Sequence, residues 1–195
     1  MKLIIINRKR LGVTVIIIGL MFVLLGLEKH FDAGLKFTAL MQNNISSLQK
    51  YETLDKKLNY KLPGEWSTEL KSFSGGQITY HNDFMSKDSK IHGFVEVWNL
   101  NKDLRTFLEE SKKISSEQNS YKDYSMNPVI INNRDGYLLA YTITTSSNEN
   151  IKGHEYFLRS NDKFFRFSFF VRENNFKENM PTIFKTIVQT LNYKE

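Results

Sequence analysis

Three side chains in the first half of the chain have the types and the spacing that a metal site needs. His81 and Asp83 are separated by one residue, so a β-strand would project both from the same face. His92 falls on the next predicted strand, and two histidines with one carboxylate can bind zinc and activate water for hydrolysis. Such triplets also arise freely among solvated or structural residues of a sheet. We favour that second interpretation and predict no metal site.

No other pattern in the sequence is typical of catalysis. G-x-S-x-G, H-E-x-x-H, P-loop and G-x-G-x-x-G motifs are all missing. His154 and Glu155 are neighbours on a predicted strand and must point to opposite faces. The chain has no cysteine, which excludes disulfides, thiolate zinc sites, a cysteine nucleophile and lipid attachment through cysteine. We therefore predict no catalytic residue and no cofactor, and a protein that is not an enzyme.

An aromatic run, FFRFSFFV at 164–171, is the most informative stretch of the second half. Its alternation places Phe165, Phe167 and Phe169 on one face, which we predict to be core beneath a helix. The other face carries Phe164 and Phe170, together with Arg166, Ser168 and Arg172. We favour core for Phe164 and Phe170 as well, because buried aromatic rings dominate core energetics. The alternative is a groove for an apolar ligand or a partner.

The net charge of +6 is concentrated at the N-terminus of this 195-residue chain. Four basic residues and no acid occur in residues 1–10, whereas 23 Lys and Arg accompany 21 acids from Glu28 onward. A nucleic-acid surface requires basic residues clustered on one element or face. No such cluster follows Glu28, so we predict no nucleic-acid binding.

Residues 11–27, LGVTVIIIGLMFVLLGL, have the composition of a membrane anchor. A helix of this length measures about 26 Å, near the roughly 30 Å of a hydrocarbon core. The basic tail at 1–10 favours a cytoplasmic N-terminus, with the rest of the chain outside the cell membrane. We expect an uncleaved single-pass anchor; the alternative is a cleaved signal peptide.

Residues 28–57 are predicted to be a helical stalk or linker, because their apolar residues recur at roughly helical spacing. This segment could pair with a second copy as a coiled coil or lean on the following domain.

From Leu58 to Glu195 the pattern is strands, helix, strands, helix. The first two strands, 67–73 and 77–85, flank Gly75-Gly76 as a hairpin. The remaining predictions are a strand near 91–98, a helix from an Asn101 N-cap to Gln118, a short strand at 128–131, strands at 136–146, 151–160 and 163–172, and a last helix from Asn179 to Leu191.

This order predicts an α+β fold, an antiparallel sheet with two packed helices. The stretches YKLPGEW at 60–66, FFRFSFFV and MPTIFKTIVQTL at 180–191 resemble the PsbP-like group of the Mog1p/PsbP fold, particularly its small bacterial membrane-anchored members. The resemblance covers about 58–195. It implies an α/β/α sandwich and a role in binding or assembly, and it transfers no site residue.

We therefore expect a membrane-anchored, extracytoplasmic, non-catalytic binding or assembly module with a partner in the cell envelope. Its domain, 58–195, is predicted to be soluble and monomeric. One alternative is a carrier of a hydrophobic ligand, which needs a cavity beside Phe164 and Phe170. The other is a metal-assisted hydrolase that uses His81, Asp83 and His92.

Overall fold

The computed structural model describes residues 17–22, 34–36, 38, 40, 45–99, 102–117 and 119–194. Residues 17–22 are helical, as are those described between 34 and 40. Within this part of the chain, no helix is both long and apolar enough to cross a membrane. The basic tail and most of the predicted anchor, 11–16 and 23–27, lie outside the described residues, so the anchor stays a prediction.

Among the residues described from 45 onward, ten strands and two α-helices form the domain. Their bounds are β1 Leu48–Thr53, β2 Leu58–Pro63, β3 Ser67–Lys71, β4 Ile78–Met85, β5 Ile91–Asn99, α1 Leu104–Ser116, β6 Ser120–Ile131, β7 Arg134–Thr144, β8 Asn150–Ser160, β9 Lys163–Arg172, a 3₁₀ turn Glu173–Asn175, α2 Met180–Val188 and β10 Asn192–Tyr193.

The strands form two antiparallel sheets. The large sheet has the order β3-β4-β5-β9-β8-β7-β6, and the small sheet has the order β1-β2-β10. The predicted α+β class is confirmed, including the hairpin at Gly75-Gly76, where φ is +116° and +72°. The small sheet is an addition that the sequence pattern did not indicate.

The main core lies between the large sheet and α2. Pro181 stands in the first turn of α2, where its missing N–H costs no hydrogen bond. Phe184 is fully buried and stacks on Phe169 with 4.3 Å between ring centroids. Phe165 and Phe167 are fully buried on the same face of β9. The predicted amphipathic last helix and the core beneath it are therefore confirmed.

The opposite face of the large sheet is covered by α1. Leu104 and Leu108 are buried there against Phe157 and Phe164. The N-cap of α1 is Asp103, whose carboxylate accepts a hydrogen bond from the backbone N–H of Thr106 at 3.1 Å. The predicted N-cap at Asn101 is wrong, because Asp103 is the residue whose side chain accepts the hydrogen bond from the first turn of the helix. Asn101 and Gln118 themselves lie outside the described residues.

The helical stalk predicted for 28–57 is wrong at its C-terminal end. Residues 48–53 are β1, which pairs with β2 so that Leu48 is opposite Pro63. Tyr51 stacks on Tyr60 at 5.5 Å, and Ile45, 5% exposed, belongs to the main core. Pairing with β2, and not a period-two pattern of apolar residues, therefore makes this segment a strand that packs on the domain, which begins before Leu58.

The short strand predicted at 128–131 is the end of the twelve-residue β6. An irregular register between Lys122 and Ser125 breaks the period-two alternation that would have indicated its first half. Pro128 fits this position because β6 is an edge strand of the large sheet.

Candidate functional site

A continuous set of polar side chains crosses the large sheet on the face that α1 covers. Glu96 on β5 is opposite both His81 on β4 and Arg166 on β9. Paired residues of neighbouring strands project to the same face, so their side chains meet. We call this set the polar ladder; its members are Lys71, His81, Asp83, Glu96, Tyr141, Glu155, Arg166 and Ser168.

Glu155 is the most heavily hydrogen-bonded member of the polar ladder. Its Oε2 accepts from Arg166 Nε at 2.8 Å, Arg166 Nη2 at 2.6 Å and Ser168 Oγ at 2.6 Å. Its Oε1 accepts from the Tyr141 hydroxyl at 2.6 Å. Burial raises the pKa of Glu155, but Arg166 and the hydroxyl donors outweigh burial and lower it. The carboxylate is therefore held ionised.

Arg166 is a fixed positive charge between two acids and two rings. Its Nη1 lies 3.3 Å from Glu96 Oε2. Its guanidinium carbon is 4.7 Å from the ring centroid of Phe94 and 5.3 Å from that of Phe157. Burial lowers the pKa of Arg166, but Glu155 and Glu96 outweigh it and raise the pKa. Stacking and bidentate pairing are roles that lysine would not reproduce.

The other half of the polar ladder reaches the edge of the sheet. Glu96 accepts from Trp98 Nε1 at 2.8 Å, and its other oxygen lies 2.8 Å from His81 Nδ1. His81 Nε2 lies 2.6 Å from Asp83 Oδ1, and Asp83 also pairs with Lys71. Burial raises the pKa of Asp83, but hydrogen bonds from Lys71 and His81 outweigh it and lower the pKa.

The structure does not assemble the metal triad considered from the sequence. His81 and Asp83 do share a face, but both ring nitrogens of His81 already face carboxylates. His92 lies against Phe170, with 5.6 Å between ring centroids. Among the described residues, no group of three or more histidines and acids is placed to hold a metal ion. The ladder geometry therefore does not favour the metal-assisted hydrolase.

A cavity of about 260 Å³ separates the C-terminal half of α1 from the sheet. Its floor includes Glu155 and Arg166, and its walls are mostly aromatic. We call this cavity the α1 groove. Its lining residues are Trp98, Phe107, Leu108, Ser111, Lys112, Ser115, Tyr121, Tyr124, Leu139, Tyr141, Glu155, Phe157, Phe164 and Arg166.

Three tyrosines form one wall of the α1 groove. The ring of Tyr121 is 5.5 Å from that of Tyr124 and 5.1 Å from that of Tyr141, edge to face in both cases. Lys112 places its Nζ 3.9 Å from the ring centroid of Tyr124. Burial raises the pKa of Tyr124 to about 12, and burial with the neighbouring Glu155 also raises that of Tyr141. Both hydroxyls therefore remain protonated near neutral pH.

The second aromatic face of β9 divides between core and site. Phe164 is fully buried, as predicted, and it also lines the α1 groove. The core prediction is wrong for Phe170, which is half-buried in a separate depression of about 350 Å³ with His92 and Phe94. His154 and Glu155 do point to opposite faces, since His154 stacks on Phe176 beside α2.

Sequence reasoning missed the groove residues Lys112, Tyr121, Tyr124 and Tyr141, and it assigned no role to the two buried acids, Glu96 and Glu155. Each acid stands inside an apolar strand, in the stretches FVEVW at 94–98 and HEYFL at 154–158. A carboxylate flanked by buried residues needs a partner on the same face of the sheet. That signal was present, but the partner, Arg166, lies 70 residues from Glu96 in sequence.

Comparison with known proteins identifies the fold. No protein-family model and no curated protein matches the sequence. The solution structure of cyanobacterial PsbP (CyanoP) from Synechocystis sp. PCC 6803 matches with a TM-score of 0.56 and 13% identity, covering 77% of this chain and 94% of that chain. A crystal structure from Bacteroides thetaiotaomicron VPI-5482 matches with a TM-score of 0.52 and 14% identity, covering 75% of this chain and 48% of that chain.

The class that these matches define is an antiparallel α+β domain. More specifically, the protein has a PsbP-like fold, as the resemblance of its sequence predicted. Likeness at this level of identity establishes the fold alone, and the function has to be argued from the site.

Proposed function

We propose that the protein is a non-catalytic binding module, tethered to the cell membrane by residues 11–27, with the α1 groove as its binding site. The groove is a concave, largely aromatic cavity with a few polar groups on its floor, the usual character of a binding site. The observation that carries the proposal is that these polar groups already satisfy one another. Both oxygens of Glu155 accept hydrogen bonds within the protein.

Because the polar groups of the site already hydrogen-bond one another, the arrangement argues against catalysis there. A general base must reach a substrate proton, and a nucleophile must be activated by an adjacent base. Glu155 is held by Arg166, Ser168 and Tyr141, and both ring nitrogens of His81 face carboxylates. The ladder therefore serves as a rigid, charged floor, and what enters the groove is bound without being transformed.

A position outside the cell membrane and a partner in the envelope belong to the same proposal. Support comes from the basic tail and the apolar stretch 11–27 of the sequence. Because the chain lacks cysteine, a single introduced thiol reports on topology without background. Ser147→Cys, in the exposed β7–β8 turn, should react with a membrane-impermeant maleimide in intact, wall-stripped cells. Reaction only after lysis would place the domain in the cytoplasm and end the extracytoplasmic proposal.

Occupancy of the α1 groove can be tested with the same chemistry. Ser111→Cys places a thiol in the groove lining, and Ser147→Cys is the matched control away from it. We expect the thiol at residue 111 to react several-fold more slowly in cells than in the purified protein, with no such difference at residue 147. An equal ratio of the rate in cells to the rate in the purified protein at both positions would show that nothing occupies the groove in the cell.

A carrier of a hydrophobic ligand is the second candidate, and the position of Phe164 and Phe157 in the groove wall favours it. Glu155 and Arg166 pair with each other on the floor whether or not a ligand is bound, so the floor tolerates an apolar ligand. Organic extraction of the protein purified from its own membrane distinguishes the two. A carrier should release a stoichiometric hydrophobic molecule that mass spectrometry detects.

A further inference from the structure

We propose that the α1 groove binds an organic cation, an amine with an aromatic or apolar body, whose ammonium group takes the position that Lys112 occupies over Tyr124. This inference rests on the proposed function, because it names the class of ligand for the same site. Three observations carry it: the charge of the groove floor, the arrangement of the tyrosines and the size of the cavity.

A ligand ammonium in place of Lys112 would preserve the charge balance beside the groove. Glu96 and Glu155, each with a side chain 5% exposed, share the single guanidinium of Arg166. Glu155 and Arg166 line the groove, whereas Glu96 lies outside its lining and also faces His81. Lys112 is the second cation of the lining, so its movement into solvent would leave the two acids beside one guanidinium. Charge interactions are several-fold stronger beside an apolar cavity than in water, so a cation is favoured over an anion in the position of Lys112.

The tyrosine wall already holds a cation. The ammonium group of Lys112 lies 3.9 Å from the ring centroid of Tyr124, the geometry of a cation–π contact. Lys112 is itself an exposed residue on α1, whereas α1 is anchored by Leu104 and Leu108. Its long side chain can therefore swing into solvent without unpacking the helix. A ligand ammonium that replaced it would keep the ring contact and the attraction to the floor.

The cavity limits the size of the ligand. A volume of about 260 Å³ equals that of roughly nine water molecules in the liquid. One aromatic ring with a short alkylamine arm matches this volume. The walls from Trp98, Phe107 and Phe164 would contact the ring, and the arm would direct the ammonium toward Tyr124.

The test uses the full chain in detergent micelles and three probes of one shape: phenethylamine, 2-phenylethanol and 3-phenylpropionate. The chain has two tryptophans, so its ¹⁵N spectrum carries two indole signals. Trp98 lines the groove and donates to Glu96, whereas Trp66 lies in the main core and serves as the internal control. Phenethylamine should shift the Trp98 signal alone, and the alcohol should bind about tenfold more weakly, a difference of about 1.4 kcal/mol.

Variants then distinguish the contribution of the Lys112 charge to phenethylamine binding from that of the Tyr124 ring. Lys112→Met removes the competing ammonium and should tighten phenethylamine binding about two- to five-fold, the value of an exposed cation–π contact. Tyr124→Leu should weaken it by a similar factor, and Tyr124→Phe, which keeps the ring face, should restore it. Tyr137→Leu, a tyrosine of the same sheet face outside the groove lining, should leave it unchanged.

Three results would overturn the inference. Tighter binding of 3-phenylpropionate, lost in Lys112→Met, would make Lys112 an anion ligand and reverse the assigned charge. Equal binding of all three probes would remove the preference for a cation. Binding of none would reject the ligand class, while protection of the thiol at residue 111 in cells would still support the groove as the binding site. Unchanged melting temperatures verify that each variant is folded.

Discussion

Arg166 on β9 donates two hydrogen bonds to one carboxylate oxygen of Glu155 on β8, from Nε at 2.8 Å and from Nη2 at 2.6 Å. The remaining terminal nitrogen of the same guanidinium reaches Glu96 on β5 at 3.3 Å. One side chain therefore ties three neighbouring strands of the large sheet together at its centre. Both acids are buried. The loss of Arg166 would therefore lower the stability of the protein mainly by leaving two buried carboxylates without a compensating positive charge.

Arg166→Met should lower the free energy of unfolding by about 3–5 kcal/mol, because two buried carboxylates would lose their counter-charge. Urea unfolding of the protein in micelles measures this change. Arg159→Met is the matched control, since the side chain of Arg159 is 51% exposed and its contact to Asp103 is 3.7 Å long. The control should change stability by about 0.5 kcal/mol or less. Equal effects of the two substitutions would contradict a structural role for the polar ladder.

His154 should make stability depend on pH. Burial, and secondarily the charge of Lys152, lowers its pKa from 6.5 to about 4. Its Nδ1 is buried without a hydrogen-bond partner among the described residues. The folded protein therefore binds this proton more weakly than the unfolded chain, and stability present above pH 6.5 is lost as the pH falls toward 4. The full loss is at most about 3 kcal/mol.

His154→Phe isolates this dependence, because phenylalanine keeps the stack on Phe176 and has no proton to bind. Unfolding free energies of the protein and the variant should diverge as the pH falls from about 7 to about 4.5. Carboxylates that also titrate in acid affect both proteins alike. Parallel curves would mean that His154 titrates normally in the folded state.

The first strand should be required for full stability. A fragment that begins at residue 58 lacks β1 and Ile45, which is 5% exposed in the main core. Loss of one buried isoleucine side chain alone costs about 2–5 kcal/mol. The fragment 58–195 should therefore be less stable than 45–195 by more than about 3 kcal/mol in urea unfolding. Identical midpoints would show that the domain does begin at Leu58.

Phe184→Ala should cost about 3–5 kcal/mol, because the ring is fully buried and stacks on Phe169. Lys185→Ala, on the exposed side of the same helix, should change stability by about 0.5 kcal/mol or less.

Deletion of 180–195 should abolish cooperative thermal unfolding. Cooperative unfolding of that truncated protein would mean that α2 does not complete the core.

The sequence predicts a helix or turn best when the residues of that element alone determine its structure. The spacing of Ile183, Phe184 and Ile187 is sufficient to locate α2, and Gly75-Gly76 is sufficient to locate the β3–β4 hairpin. The sequence predicts a strand less well when the strand is determined by pairing with a distant segment. Leu48 and Leu54 fit the spacing of a helix, but the pairing of β1 with β2 places Leu48 in a strand, and Leu54 follows that strand in a turn with φ of +53°.

The candidate site depends on pairing even more strongly. Because β9 lies between β5 and β8, Arg166 meets Glu96 from a distant part of the sequence and Glu155 from the neighbouring hairpin strand. Side-chain alternation predicts which face each residue occupies, but it does not specify the order of strands. Alternation alone puts His81 and Asp83 on one face, whereas their link to Glu96 depends on the register of β4 and β5.

The position of Arg166 between Glu96 and Glu155 also restricts how this sequence can diverge. A neutral residue at 166 deprives two buried acids of the guanidinium that they share, and a neutral residue at either acid removes one of the two carboxylates that Arg166 pairs with. Substitutions at these three positions should therefore occur together in homologues or not at all. The covariation would link codons 11 and 70 positions apart. Homologues that have lost all three should have a groove floor of a different kind, and with it a different ligand.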